Sequence, residues 1–190
     1  MIQLRWTSKD LKHLPLNEGK RYEIIDGELY VSTQPSLEHQ RICLRLGSAL
    51  LAWDDEVGLG TVYLAPGIIF PDDDNVAPDL AWVSQERLAL LVGPDSKLHA
   101  APDLVVEVLS PGPDNEERDR DIKLRLYSRR GVREYWIVDW LGRQVEVYRR
   151  ENAALVLVAT LTDADALEST LLPGFSLPVR TLFAGIGVGL

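Results

Sequence analysis

The segment Leu104-Val-Val-Glu-Val-Leu109 is an almost unbroken apolar run with one carboxylate inside it. A short run of this kind, bounded by turn residues, reads as a strand buried on both faces of a sheet, which needs packing layers on either side. On that strand Asp103, Val105, Glu107 and Leu109 point one way, and Leu104, Val106 and Val108 the other. An ionised Glu107 is costly to bury unless something offsets its lost hydration. The fold must therefore give it an edge open to solvent, an arginine, or a divalent cation.

The flanking sequence supplies the layers. Thr7 or Ser8 can cap a short helix that stops before Pro15. Arg21 to Val31 reads as a hairpin, with Asp26-Gly27 as turn residues that tolerate positive φ. Ser36 opens a long helix with Ile42, Leu46, Ala49, Leu50 and Trp53 on one face. Two strands, Thr61 to Phe70 and Val76 to Val83, are joined by Pro71 to Asn75, and Ser84 can cap a short helix to about Val92. After the Glu107 strand a helix begins at Asp114 and stops at Gly131. Glu134 to Asp139 is another buried strand with Gln144 to Arg149 as its partly exposed partner. The tail from Ala153 adds one or two strands and a final apolar segment. The pattern predicts an α/β (α+β) fold, a mixed central sheet flanked by helices, in one domain over residues 1–190 with its core at about 20–180.

Composition removes several functions. A lone Cys43 forms no internal disulfide and no cysteine cluster for zinc. His13, His39 and His99 show neither HxH nor HExxH spacing, so a metal site is expected to use oxygen ligands. The first residues lack a basic-then-apolar leader, and no apolar run approaches the roughly 18–20 residues of a membrane helix. The expectation is a soluble, cytoplasmic chain without a membrane partner. Twenty Lys+Arg against 29 Asp+Glu leave a net charge of −9, which by itself argues against a protein that coats nucleic acid.

Three residues stand out chemically. Asp79 lies in Val76-Ala-Pro-Asp-Leu-Ala-Trp-Val83, at the start of a predicted strand. A second Pro-Asp-Leu starts at Pro102, so a turn-forming role for one or both is the plain alternative. If Asp79 and Glu107 sit on adjacent strands, about 4.8 Å apart, they can share one cation. Magnesium suits such a pair, because it takes one or two carboxylates and leaves other positions to water and phosphate. Lys123 is one of only five lysines and the only one after Lys97. Helical spacing puts it on one face with Asp119 and Tyr127, although a solvated helix would show the same run of charges. As the cation nearest in sequence to the acid pair, it can orient a water or balance charge in a transition state.

Pro78-Asp79, Glu107-Val-Leu109 and Lys123 resemble the PD-(D/E)XK nuclease superfamily. More narrowly, the chain is similar to the Uma-two family of restriction-endonuclease-like proteins. Its matching stretches include Tyr22 to Glu28, Glu38-His-Gln40, Ala77 to Leu80, Ala101 to Pro111, Lys123 to Tyr127, Gly131 to Asp139 and Leu171 to Gly174. The resemblance implies a restriction-endonuclease-like core and cleavage of DNA phosphodiesters with Mg²⁺, for which Mn²⁺ substitutes. It assigns Asp79 and Glu107 as metal ligands, the Val108 carbonyl as a backbone ligand, and Asp79, Glu107 and Lys123 as the catalytic set. Glu23 matches a further acidic position, for a second metal or a water, while His39, Gln40 and Tyr127 become cleft-lining candidates. One departure stands out: the lysine expected two residues after the glutamate is Leu109, and Lys123 takes its place from the following helix.

Two other functions fit the same residues: a non-catalytic nucleic-acid or protein-binding module on this fold, and a metal phosphoesterase acting on small nucleotides. A homodimer is expected if both strands of a duplex are cut. The apolar tail Phe183 to Leu190 is suited either to a partner or to its own core. From Arg118 to Arg150 there are 10 Lys+Arg and five Asp+Glu, a local +5 that leaves −14 for the rest. That segment is where a phosphate backbone is expected to approach.

Overall fold

Asp26 (φ 56°) and Gly27 (φ 80°) take the left-handed conformation that the tight turn requires. They close β1 (Arg21–Ile25) onto β2 (Glu28–Ser32). The computed structural model describes residues 5–14 and 19–187. Ser36 accepts the His39 N–H and starts α1 (Leu37–Val57), and Gly58 ends it in a left-handed cap. The chain continues through β3 (Gly60–Leu64), β4 (Ile68–Ile69), β5 (Asn75–Val76), β6 (Leu80–Ser84), α2 (Gln85–Leu91) and β7 (Leu104–Val108). Next come α3 (Pro113–Glu117), a π turn (Arg118–Ile122) and α4 (Lys123–Arg130), which Gly131 caps. β8 (Glu134–Asp139), β9 (Gln144–Glu151), β10 (Ala154–Thr162), β11 (Ala166–Glu168), β12 (Ser176–Pro178) and α5 (Val179–Leu182) complete the order.

The central sheet has six strands in the order β10-β9-β8-β7-β6-β3. Only β7 and β8 run parallel; the other pairs are antiparallel. The Glu107 strand is thus interior, as its composition predicts. Leu104, Val106 and Val108 face one core with Ile42, Leu46 and Leu50 of α1. Val105 and Leu109 face another, built with Leu126 and Tyr127 of α4 and with Ile25 and Ile68 of a smaller sheet. That smaller sheet is β2-β1-β5-β4. Among the described residues no helix is long and apolar enough to cross a membrane.

Two expectations change, and the tail follows one of its two readings. Each long strand predicted between Thr61 and Val83 divides in two, with β3 and β6 in the large sheet and β4 and β5 in the small one. The breaks fall at Pro66-Gly67 and at Pro78, where proline offers no N–H to a ladder. The N-terminal helix is a 3₁₀ turn, Asp10–His13, and Thr7 does not cap as an acceptor: its N–H and hydroxyl both donate to the Asp10 carboxylate. Pro15 itself lies outside the described residues. The tail folds on its own chain, with Phe183 and Ile186 buried in the α1-side core; residues 188–190 lie outside the described part.

Candidate active site

Asp79 occupies the bend just before β6. The register pairs Leu80 with Val106, so one further step sets Asp79 opposite Glu107, and two set Pro78 opposite Val108. The Asp79 carboxylate accepts the Val108 N–H through Oδ2 at 2.8 Å, and the same oxygen lies 3.0 Å from His39 Nε2. Arg21 approaches Oδ1 at 3.5 Å. Pro78 has no N–H, so the Val108 carbonyl receives no ladder bond from that strand. The Pro-Asp pair therefore satisfies one backbone group of Val108 and frees the other beside the two acids.

Glu107 is only 3% exposed. Its Oε1 accepts Lys123 Nζ and the Tyr127 hydroxyl, each at 2.9 Å. Among the described residues no donor reaches Oε2. Lys123, 1% exposed, also lies 3.2 Å from Glu23 Oε1 and 3.7 Å from Asp119 Oδ1. Glu23 is held in turn by the Ala77 N–H at 2.9 Å, and Asp119 by Arg118 Nε at 3.1 Å. Asp119, Lys123 and Tyr127 do share one buried helix face. The unforeseen feature is the π turn that carries Asp119, whose carbonyl accepts the Tyr135 hydroxyl at 2.9 Å. Such wide turns recur where a helix places functional side chains.

The electrostatics follow from crowding. Four buried carboxylates, Glu23, Asp79, Glu107 and Asp119, surround Lys123 and the neighbouring Arg118. Burial, reinforced by the Asp119, Asp79 and Glu23 charges, pushes the Glu107 carboxyl up to about 8 against the pull of Lys123. Burial also raises Asp79, but the His39 contact, the Val108 N–H and Lys123 outweigh it and hold that carboxyl below its ordinary value. Burial lowers Lys123, and Glu107, Glu23 and Asp119 more than reverse this, so the ammonium stays charged. Oxygen donors from two acids and a free carbonyl, with negative charge in excess, fit a hard divalent cation.

The cleft over these groups is small, about 40 Å³ open to water, and is walled by Arg21, Ser32, Pro35, His39, Ser110 and Arg118. Gln40 is exposed and lines a neighbouring groove with Leu44 and Leu64; Tyr127 lies fully buried beneath Glu107. The second Pro-Asp-Leu has a different task. Asp103, at the opposite end of β7, accepts the Ser84 N–H at 2.9 Å and pairs with Arg87 at 2.7 Å and Arg133 at 3.2 Å.

The basic segment does not form an open phosphate-binding face. Arg129 and Arg130 close on Asp26, Asp72 and Asp74, and Arg120 closes on Asp139 and Glu146. Arg125, Arg133, Arg143 and Arg149 pair with Asp121, Asp103, Asp163 and Glu134, while Arg150 is bonded to backbone carbonyls. With Arg118 and Lys123 inside the cleft, all ten cations are engaged within the chain. Sequence reasoning missed Arg21 and Arg118 as parts of the site. For Arg118 the only signal is its place one residue before the Asp119 face; for Arg21, on a separate hairpin, there is none.

A mixed sheet flanked by helices, with acids gathered where one strand bends away from it, defines an α/β protein with an acidic cleft at the ends of β6 and β7. A crystal structure described as "a putative nuclease belonging to DUF820" from Anabaena variabilis superposes with a TM-score of 0.75, covering 94% of this chain and 97% of that one at 21% identity. The Uma2 family model, described as "Putative restriction endonuclease", matches residues 8–180, and the chain belongs to that family. No curated protein matches the sequence.

Proposed function

We propose that this chain hydrolyses phosphodiester bonds in DNA, with Mg²⁺ as its cation and Mn²⁺ able to replace it. The observation that carries this reading is the Asp79 carboxylate bonded to the Val108 N–H next to Glu107, with Lys123 held 2.9 Å from the Glu107 carboxylate. Asp79, Glu107 Oε2 and the Val108 carbonyl would hold the cation. When bound, such an ion lowers the pKa of a coordinated water and offsets the charge of the phosphate. Lys123 keeps a permanent ammonium on the cleft floor, where it orients the attacking water and balances charge developing on phosphorus-bound oxygen. Glu23 is already committed to Lys123 and the Ala77 N–H, which favours a role in positioning the ammonium over binding a second metal. His39 holds the Asp79 carboxylate, and Arg21 and Arg118 on the cleft wall are the cations nearest an entering phosphate.

The proposed unit is a cytoplasmic homodimer formed through α1. Leu44 and Leu51 are 67% and 50% exposed, on a face that also carries Leu37, Arg41, Ser48 and Asp55. Antiparallel pairing of two copies about Ser48 sets Leu44 against Leu51 and Arg41 against Asp55, with a small residue at the crossing.

Incubating purified protein with plasmid DNA and Mg²⁺ or Mn²⁺, against an EDTA control, tests the chemistry. Cleavage is expected in wild type and absent from Asp79→Ala and Glu107→Ala. Activity persisting in both variants would remove the assignment.

A further inference from the structure

His39 and Cys43 stand one turn apart on α1, 6% and 7% exposed. Cys43 Sγ lies 3.6 Å from His39 Nδ1, while the other ring nitrogen, Nε2, is 3.0 Å from Asp79 Oδ2. A tetrahedral Zn²⁺-type ion binds thiolate sulfur at about 2.3 Å and imidazole nitrogen at about 2.0–2.1 Å, which makes the sulfur–nitrogen edge about 3.6 Å. The two donors thus already stand at the separation that such an ion imposes. The second ring nitrogen faces a carboxylate, an arrangement that fixes the tautomer and orientation of a metal-binding histidine. One donor atom from each of His39, Cys43 and Asp79 lies within 4.8 Å of the others, and all three residues line the groove between α1 and β3. That groove gives an ion a way in and water for its remaining positions. Thiolate and imidazole select borderline and soft ions and are poor ligands for Mg²⁺.

We propose that Cys43 and His39 form a second cation site, for a thiophilic transition metal of the Zn²⁺ class, with Asp79 as its outer carboxylate. On binding, the Cys43 S–H bond breaks, its proton leaves to solvent, and a sulfur–metal bond forms. His39 coordinates through Nδ1 and keeps its proton on Nε2, directed at Asp79. The site rests on the geometry of these three residues. Its consequence rests on the proposed hydrolysis: an ion bound on His39 sets a second positive charge beside Asp79 and repels the hard cation, so Zn²⁺ is an inhibitor.

Cobalt(II) titration of EDTA-treated protein tests the binding. Wild type is expected to show a thiolate-to-cobalt charge-transfer band in the near ultraviolet and the intense visible bands of a tetrahedral ion. Zn²⁺ should displace them and excess Mg²⁺ should not. The charge-transfer band should vanish in both Cys43→Ser and Cys43→Ala, with folding checked by circular dichroism, and should survive in Glu107→Gln, which removes the hard-cation ligand alone. A folded wild type without the band, or the same band in both cysteine variants, overturns the site. A cobalt band in a protein that cleaves no DNA keeps the site and sinks the hydrolysis reading; cleavage without the band does the reverse.

Discussion

The Asp79 carboxylate accepts the backbone N–H of Val108, the residue next to Glu107 on the adjoining strand, at 2.8 Å. One acid is therefore pinned by the strand that carries the other. Their spacing depends on strand register, not on the rotamers of two free side chains, and that makes the two Pro-Asp-Leu segments separable by experiment. Asp79→Asn should abolish Mg²⁺-induced stabilisation and lower cleavage at least about 100-fold. Asp103→Asn should leave the Mg²⁺ response intact while costing about 1–3 kcal/mol, because Arg87 and Arg133 lose a charged acceptor but remain partly solvated. Denaturant melts with and without Mg²⁺ check both, and a normal Mg²⁺ response in Asp79→Asn would contradict the assignment.

Lys123→Met removes the ammonium that touches Glu107, Glu23 and Asp119. Leaving buried carboxylates without it should destabilise the fold by about 3–5 kcal/mol at neutral pH. Lys123 is what holds the Glu107 value down to about 8, so above that pH the variant loses a stabilised carboxylate that wild type keeps, and its deficit should grow as pH rises through about 8. Urea melts at pH 7 and pH 9 measure the trend, and an equal deficit at both would refute it.

Glu107 is raised to about 8 by burial and by neighbouring acids. Between its ordinary value and about 8, the folded chain keeps a proton that the unfolded chain has released. This group's contribution is fully favourable below the ordinary value and is lost as pH rises through about 8. Glu107→Gln removes that loss, so the variant should gain on wild type steadily from pH 5 to pH 8.5 in EDTA. A stability difference flat across that range would show that Glu107 is ionised throughout in the folded chain.

Leu44→Glu and Leu51→Glu each put a charge on the exposed face of α1. Both should convert a dimer to monomers in light scattering while leaving the melting temperature of the subunit nearly unchanged, because neither leucine contributes to the buried core. A wild type that is already monomeric at high concentration would discard the α1 interface.

Local chemistry was legible. Asp26-Gly27, Ser36 and Gly131 mark real turns and caps, and the alternation about Glu107 correctly separates two cores. Helical spacing placed Asp119, Lys123 and Tyr127 together, and the expectation of adjacent strands paired Asp79 with Glu107. What escaped depends on distant partners. Nothing local says that Pro66 and Pro78 divide strands between two sheets, or that Arg129 and Arg130 will meet Asp74. The π turn escaped because it differs from an α-turn by one residue of registry. The His39–Cys43 contact escaped because spacing rules for such pairs look for two histidines, whereas its third partner, Asp79, arrives from the bend before β6.

The bend at Pro78 divides the cleft into parts of different origin. Its floor is Glu107 and Val108 of β7, Asp79 of the bend that enters β6 and Lys123 of α4, whereas its sides belong to the β1–β2 hairpin, the start of α1 and the turn after β7. The spacing of Asp79 and Glu107 is therefore set by β6 and β7, while the walls above them come from elements outside those strands. The sides are not independent of the floor: Glu23 on the hairpin touches Lys123 and His39 at the start of α1 touches Asp79, so any exchange of hairpin or helix start would have to keep those two residues.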